Sequence, residues 1–475
     1  MLAEVLDVNR AVARHVLVIL VLSLTRLGAD AITAANPSAS LFSSYEVVPL
    51  QLTAPFNDLI DKARTDDEYA VTGTLSYTDG GRVVTIEGVK VSLRGHTSKR
   101  ESECAFPKLK LQLPADKAGQ GTLFSGLTSL KIGTHCGDAA ADTVTAKYGR
   151  LANEHSPVRE AFVYRLLDAV GVPALKARPA KITYVFADAR EGRSAAQAAQ
   201  PMVRNGMLLE NTDAAVKRVG GERELDVKAF TDARAMFSTA DTARLAFAEA
   251  MIGNFDWCLK MFPQDTYRCD ARDPLWNIVA AATANGRARP LIYDFDIAGM
   301  VVGRHSWFTH TFNEAFVPSR SHTEIEVLAQ VQRTRTLFNR ADLDATRGEF
   351  VKRKAQAYQA LESARLDSAG KRHAQAYLDS FYKAIESDDA FYRPVVVTPG
   401  TKLYANGNRA VACASRPDIP VGTPVSEPRQ KTGTLIQVVV LDALWHWAEL
   451  AKCAAVQQTP MWIEGSAVGT DFPKK

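Results

Sequence analysis

Between residues 47 and 135 apolar and polar positions alternate, the period of half-buried strands. The stretch YAVTGTLSYTDGGRVVTIEGVKVSLRG, residues 69–95, places β-branched runs on both sides of Asp79-Gly80-Gly81, a hairpin turn signal. In FPKLKLQL, residues 106–113, Leu109, Leu111 and Leu113 share one face and leave Lys108 and Lys110 together on the other. These runs predict an antiparallel sheet. At residue 156 the period changes. In SPVREAFVYRLLDAVGVP, Val158, Phe162, Val163, Leu166 and Val170 recur at helical spacing; Ser156 is placed to cap, Pro157 suits the first turn, and Gly171 and Pro173 stop the helix. Glu160 lies on the side away from Val158 and reads as a surface residue. Residues 176–210 read as a strand pair around an Ala/Gln-rich loop, and a second helix runs from about Asp241 to Ile252, ended by Gly253. Helical periodicity over 320–390 predicts a packed helical layer, and short β-rich pieces from Pro399 onward predict a small barrel.

Composition narrows this picture without redirecting it. A chain of 475 residues, 46% hydrophobic and 23% charged, can bury more than one core. Its 57 basic and 53 acidic side chains leave +4 without a long basic run, which argues against a nucleic-acid partner or a polybasic membrane patch. Arg10, Arg14 and His15 precede VLVILVLSL at 16–24, with Ala29 and Ala31 beyond, so residues 1–31 read as a secretory signal peptide and 32–46 as a linker. The apolar run falls short of the roughly 20 residues that span a bilayer, so no transmembrane anchor is expected after cleavage. The expected location is periplasmic or extracellular. Export gives the six cysteines a meaning as disulfides. Neighbouring pairs Cys104/Cys136, Cys258/Cys269 and Cys413/Cys453 are one of fifteen possible connectivities.

The chemistry concentrates between residues 254 and 296. MIGNFDWC leaves Asp256 in a loop just past a helix end, PLWNIV carries Asn277 in a short apolar strand, and PLIYDFDIAG carries Asp294 and Asp296 two apart, so that both carboxylates face one side of a strand. Two carboxylates on one buried face repel unless a cation compensates them, which points to a divalent metal, with capping of a turn before Gly299 or pairing with an arginine as the structural alternative. Phosphoryl transfer requires such a set: oxygen ligands for magnesium and a carboxylate to receive the acceptor hydroxyl's proton. A glycosidase pair would need its two acids on separate supports across a sugar cleft, which Asp294 and Asp296 do not offer. His305 and His310, five apart, share no helical face and read as incidental.

Seven motifs in order, LRGHTS (93–98), FPKLKLQL (106–113), REAFVYRLLDAVGVPA (159–174), MLLENTD (207–213), MIGNFDW (251–257), WNIV (276–279) and YDFDIAG (293–299), resemble the kinase-like spore coat protein H (CotH) proteins over roughly residues 47–395. The resemblance implies an α+β, two-lobed atypical protein-kinase-like fold over 47–398. Its antiparallel N-lobe sheet would occupy about 47–210 and its mostly helical C-lobe about 211–398. It further implies transfer of the ATP γ-phosphate to a Ser/Thr of an exported or envelope protein. Asp256 matches the catalytic aspartate; Asn277 and Asp294, with Asp296 beside them, match the side that holds magnesium or manganese. Lys108 or Lys110 would anchor phosphate, Arg94 and Ser98 would approach it from a glycine-containing loop, and Glu210 is a hinge-side candidate for nucleotide, with an ordinary strand-end acid as its equal alternative. Residues 399–475 resemble a bacterial Src-homology-3-like (SH3-like) barrel, expected to dock on cell wall or an envelope partner. Two positions depart from the family pattern: His96 stands where relatives commonly show asparagine, and Trp276 precedes Asn277 where a polar residue is expected. They keep a rival open, an inactive pseudokinase serving as an envelope binding protein.

Overall fold

The computed structural model describes residues 41–114, 122–188, 201–226, 237–259, 275–303, 321–335, 337–412, 418–419, 421–440 and 460–471. The expected signal peptide, Cys269, Cys413, Cys453, His305 and His310 lie outside the described residues.

Seven strands, β1 (Val48–Ala54), β2 (Ala70–Asp79), β3 (Arg82–Leu93), β4 (Leu109–Gln112), β5 (Ser129–Thr134), β6 (Ala177–Phe186) and β7 (Met202–Leu209), form a closed barrel in the order β1-β2-β3-β4-β5-β7-β6. Every pair is antiparallel except β1 with β6, which run parallel from Val48↔Ala180 to Ala54↔Phe186 and close the ring. The expected antiparallel sheet is closed into a barrel by this one parallel pair. Its two outer strands satisfy each other's edge hydrogen bonds instead of leaving them exposed. The hairpin turn falls where the sequence placed it, with Gly80 and Gly81 both at positive φ between the paired Asp79 and Arg82. Alternation sends Leu52, Leu75, Ile86, Val91, Leu109, Leu111, Ile132 and Ile182 inward, each essentially fully buried at about 1.5–3 kcal/mol apiece. Helix α1 (Phe56–Ala63) adds Phe56, whose ring packs against Phe106 and Tyr184.

Helix α2 (Ser156–Ala169) begins one residue earlier than a Ser156 cap would allow: His155 is the N-cap, without a side-chain capping bond, and Ser156 lies in the first turn with Pro157. Nearly all of α2 is buried, because it sits between β6 and β7 on one side and two later helices on the other. Glu160, expected at the surface, is thus 2% exposed. Arg159 on the same helix pairs with Asp142 (2.9 Å) and Asp367 (2.6 Å) and donates to Val301 O, tying α2 to the segments around it.

The second and larger core lies in the helical part. It contains α3 (Thr212–Arg218), α4 (Thr239–Ile252), α5 (Gly299–Val302), α6 (His322–Thr334), α7 (Arg340–Lys352), α8 (Lys354–Glu362), α9 (Ser368–Ile385) and α10 (Asp388–Phe391). Helix α4 starts with Ser238 accepting from the Asp241 N–H and stops at Gly253 in the left-handed region, as its sequence signals require. A small sheet of β8 (Arg223–Leu225), β11 (Ile278–Ala282) and β12 (Ala288–Ile292), with the pair β9 (Cys258–Leu259) and β10 (Leu275–Trp276), completes this region. Strand β12 is fixed to the connection before β6 by the Leu175 N–H donating to Ile292 O and the Ile292 N–H donating to Pro173 O.

From Val395 the described residues form short strands around a core of their own, with Val396, Leu403, Ile419, Val425, Val438, Met461 and Ile463. The first strand pairs with the last, Val395↔Gly469, four residues before the expected boundary. Among the described residues these strands form one three-stranded sheet and two pairs.

Candidate functional site

Strands β11 and β12 pair with Ile278 opposite Ile292, and the chain leaves strand conformation on either side of that pair. Asn277, just before β11, has φ 57°, and Asp294, two residues past β12, has φ 66°. Asn and Asp tolerate the left-handed region better than other side chains, yet two such residues side by side mark a site where the backbone is bent for a purpose. The Tyr293 N–H donates to Asn277 O (3.2 Å), holding the two bends together. Asp294 and Asp296 therefore belong to a turn and not to a strand face, because β12 ends at Ile292.

Asp256 joins them from the end of α4. Its N–H donates to Asn254 Oδ1 (3.0 Å), which fixes the turn after Gly253. Asn277 Nδ2 donates to Asp256 O (2.6 Å) and Oδ2 (3.1 Å), and the Trp276 indole N–H donates to Asp256 Oδ1 (3.1 Å). The three segments singled out by sequence thus meet. Trp276, noted only as a departure, supplies one of the hydrogen bonds that orient Asp256.

The cations that meet the aspartate doublet are the protein's own. Lys108 Nζ lies 2.7 Å from Asp294 Oδ1 and 2.9 Å from Asp296 Oδ2, and Arg150 Nε donates to Asp296 Oδ2 at 2.8 Å. Arg150 also reaches Glu103 (3.5 Å) and donates through Nη2 to Thr97 Oγ1 (2.7 Å). Burial alone would raise the Asp296 carboxyl, but Arg150 and Lys108 outweigh it and hold Asp296 well below the usual carboxylate range. For Lys108, burial disfavours the charge, while Asp294, Asp296 and Glu160 raise its pKa above the ordinary value. Both cations converge on Asp296 Oδ2, and the Asp296 side chain is only 6% exposed. Asp294, at 30%, keeps Oδ2 without a protein partner among the described residues. Beneath the cluster, Asp294 N–H donates to Tyr164 Oη (3.0 Å) and Phe295 N–H to Glu160 Oε1 (3.4 Å). Burial pushes Glu160 up to about 7; Asp296 and Asp294 add to the rise and Lys108 opposes it.

The expected nucleotide-side residues divide. Lys108 is spent on the aspartates, whereas Lys110 faces the same outer side of β4 with no ion pair to a described residue. Ser98 is buried and its hydroxyl donates back to Arg94 O (3.3 Å), closing the loop over Gly95. The Arg94 guanidinium makes no hydrogen bond or ion pair with a described residue, and its Nε is buried. Glu210, just past the end of β7, is engaged within the protein: Arg218 grips it through Nε (2.9 Å) and Nη2 (2.8 Å), and the Lys176 N–H donates to it (3.0 Å).

Sequence reasoning missed Arg150, Glu103, Tyr164 and Glu160. For α2 a usable signal existed: Glu160 sits in a helix apolar on several sides, and such a helix is enclosed. Arg150 gave none, lying 146 residues from its partner Asp296. Among the described residues no three His, Cys, Asp or Glu side chains are grouped to share a metal ion, so a metal here would draw on Asn277 and on ligands from outside the protein. A groove of about 590 Å³ lies elsewhere, in the C-terminal unit, with Lys431 and Glu464 as its charged lining. It holds none of these groups. Cys104 and Cys136 form the expected disulfide, and Cys258 is also disulfide-bonded. No described helix is long and apolar enough to cross a membrane.

No family model matches the chain and no curated protein matches it, so the spore coat protein H resemblance rests on the motifs. Among solved structures the chain is distantly similar to the Helicobacter pylori proinflammatory kinase CtkA, with a TM-score of 0.29 and 7% identity over 66% of this chain and 90% of that one.

Proposed function

We propose that the chain is a kinase-like phosphotransferase using ATP and a divalent cation. The observation that carries this reading is the contact of three segments: Asn277 donates to Asp256, and the Tyr293 N–H, next to Asp294, donates to Asn277 O, with Asn277 and Asp294 both on left-handed bends. The oxygen donors suit magnesium or manganese in part: Asn277 Oδ1 and Asp294 Oδ2 are hard ligands, whereas Asp296 is buried with Lys108 and Arg150 on its Oδ2, and in this reading it supports the pair from behind. Magnesium, when bound, would neutralise charge on the β- and γ-phosphates. In this reading Asp256, held by Trp276 and Asn277, would orient an acceptor hydroxyl and take its proton as the oxygen bonds to the γ-phosphorus and the bond to the β,γ-bridging oxygen breaks. The acceptor we propose is a Ser/Thr of an exported or envelope protein, with the C-terminal unit as a docking module. The Cys104–Cys136 disulfide is compatible with an oxidising compartment.

One observation favours a second reading, an inactive pseudokinase that serves as an envelope binding protein: Lys108 bridges both aspartates where a metal was expected. Labelling with γ-phosphate-tagged ATP, with α-phosphate labelling in parallel, separates the two. Wild type should label itself or a generic acceptor from the γ-position, and Asp256→Ala and Asp294→Ala should not. Equal labelling by all three proteins refutes the enzyme. No labelling, together with a clear Mg-ATP melting shift, establishes the pseudokinase.

A further inference from the structure

We infer that Tyr377, in the middle of α9, is a positioning residue: its side chain is a buried peg that fixes the chain before Asp256 and the chain after Asp296 against each other from the core side. Its effect on phosphate transfer rests on the proposed function; the peg itself does not.

The two segments meet where the Gly299 N–H donates to Gly253 O (2.9 Å), three residues past Asp296 and three before Asp256. Tyr377 lies across that junction. A Cβ added at Gly253 would overlap Tyr377 Cε1, and one added at Gly299 would overlap Tyr377 Oη. Gly253 has a second reason to be glycine, its left-handed φ of 65° at the end of α4. Gly299 has no such reason, since it opens α5 outside the left-handed region. What its missing side chain provides is room for the phenol. One turn earlier on the same face of α9, His373 lies against Gly303 in the same way.

The hydroxyl is as constrained as the ring. Tyr377 is fully buried, and a buried phenol is costly unless it is hydrogen-bonded. It donates to Glu326 Oε2 (2.9 Å) on α6 and to Gly303 O (3.2 Å) just past α5. Burial, then Glu326, pushes the phenol well above its ordinary pKa, so it remains a donor. A residue that only filled space would be phenylalanine, as at the equally buried Phe381 one turn on. Ring and hydroxyl together tie α9 to the ends of the segments that carry Asp256, Asp294 and Asp296. Misplacing reacting groups by about 1 Å can cost about 100-fold in rate, so the peg acts on turnover without touching substrate.

Hydrogen exchange on the full chain, read by mass spectrometry, tests the peg without metal or nucleotide. Tyr377→Phe keeps the ring and removes the hydroxyl. Amides in 252–258 and 293–303 should exchange about tenfold faster, while the barrel strands and α7 keep their rates. Tyr377→Leu removes the atoms that a Cβ at Gly299 would overlap. Gly299→Ala should therefore lower the melting temperature in the wild-type background and leave it unchanged or raise it in Tyr377→Leu. Unchanged exchange in Tyr377→Phe, or exchange raised evenly along the chain, overturns the peg, as does an equal loss of melting temperature in both backgrounds. With γ-labelled ATP, kcat of Tyr377→Phe should fall about tenfold with KM for ATP unchanged. Local loosening in Tyr377→Phe, beside a wild type that transfers no phosphate, keeps the peg and defeats the kinase reading. Transfer by wild type with kcat unchanged in Tyr377→Phe keeps that reading and overturns the positioning role.

Discussion

Replacing Lys108 by methionine tests whether the buried ion cluster is a coupled unit. The lysine side chain is 5% exposed and contacts carboxylates that are 30% and 6% exposed, at 2.7 and 2.9 Å. At an effective dielectric near 20, each contact is worth about 6 kcal/mol before desolvation, and most of that is cancelled by the cost of burying the ions. What remains on deletion is the penalty of a carboxylate left behind. Two cations, Lys108 and Arg150, face three carboxylates, Glu103, Asp294 and Asp296, so the variant has one cation against three. Breaking a buried pair costs about 3–5 kcal/mol, and the exposure of Asp294 puts this case at the lower end, about 3 kcal/mol. Asp296→Asn in the wild-type background should cost about 1–2 kcal/mol, since the amide oxygen can still accept from Arg150. In the Lys108→Met background the same change removes an uncompensated charge and should restore about 1 kcal/mol. Urea denaturation with disulfides intact reads all four proteins. A reversal of sign between backgrounds is expected, and effects that add within about 0.5 kcal/mol would refute the coupling.

Other consequences follow from single contacts. Trp276→Phe removes one donor from Asp256 while keeping the ring, so kcat for phosphate transfer should fall about 10- to 100-fold with KM for ATP unchanged, as steady-state kinetics would show. Arg218→Ala leaves Glu210 buried on one backbone N–H and should cost about 2–3 kcal/mol in a urea melt, without altering nucleotide affinity. Buried His135, stacked on Phe106, is pushed down to about 4 by burial, with Arg204 adding and Asp138 opposing. Between pH 6.5 and 4 the unfolded histidine takes a proton that the folded one refuses, so stability falls as pH drops through that window, by up to about 3 kcal/mol. His135→Gln should lose that part of the acid sensitivity in urea midpoints measured at pH 6.5 and 4.5.

What could be read from the chain was what is local. The Asp79-Gly80-Gly81 turn, the stop at Gly253 and the alternation of β4 each depend on residues within a few positions, and each appears in the fold. The motifs lie on segments that do touch: Asn277 Nδ2 donates to Asp256, and the Tyr293 N–H, next to Asp294, donates to Asn277 O. Barrel closure was not legible, because β1 and β6 are distant in sequence and either could have remained an edge. The doublet at 294 and 296 was legible as a demand for positive charge, but its source was not: Lys108 lies 186 residues away and Arg150 still has to be brought in from the other side. Glu160 was misread because one helix face was assumed to be wet, whereas α2 is covered on both sides. Glu210 is answered by Arg218, eight residues on, a pairing that only the turn into α3 makes possible.

The most direct test is anomalous diffraction from crystals of the full chain soaked with manganese and a non-hydrolysable ATP analogue. Manganese bound by Asp294 and Asn277, with nucleotide phosphate on the same ion and Asp256 facing the terminal phosphate, is the expected result. An empty site with Lys108 still bridging Asp294 and Asp296 would contradict it.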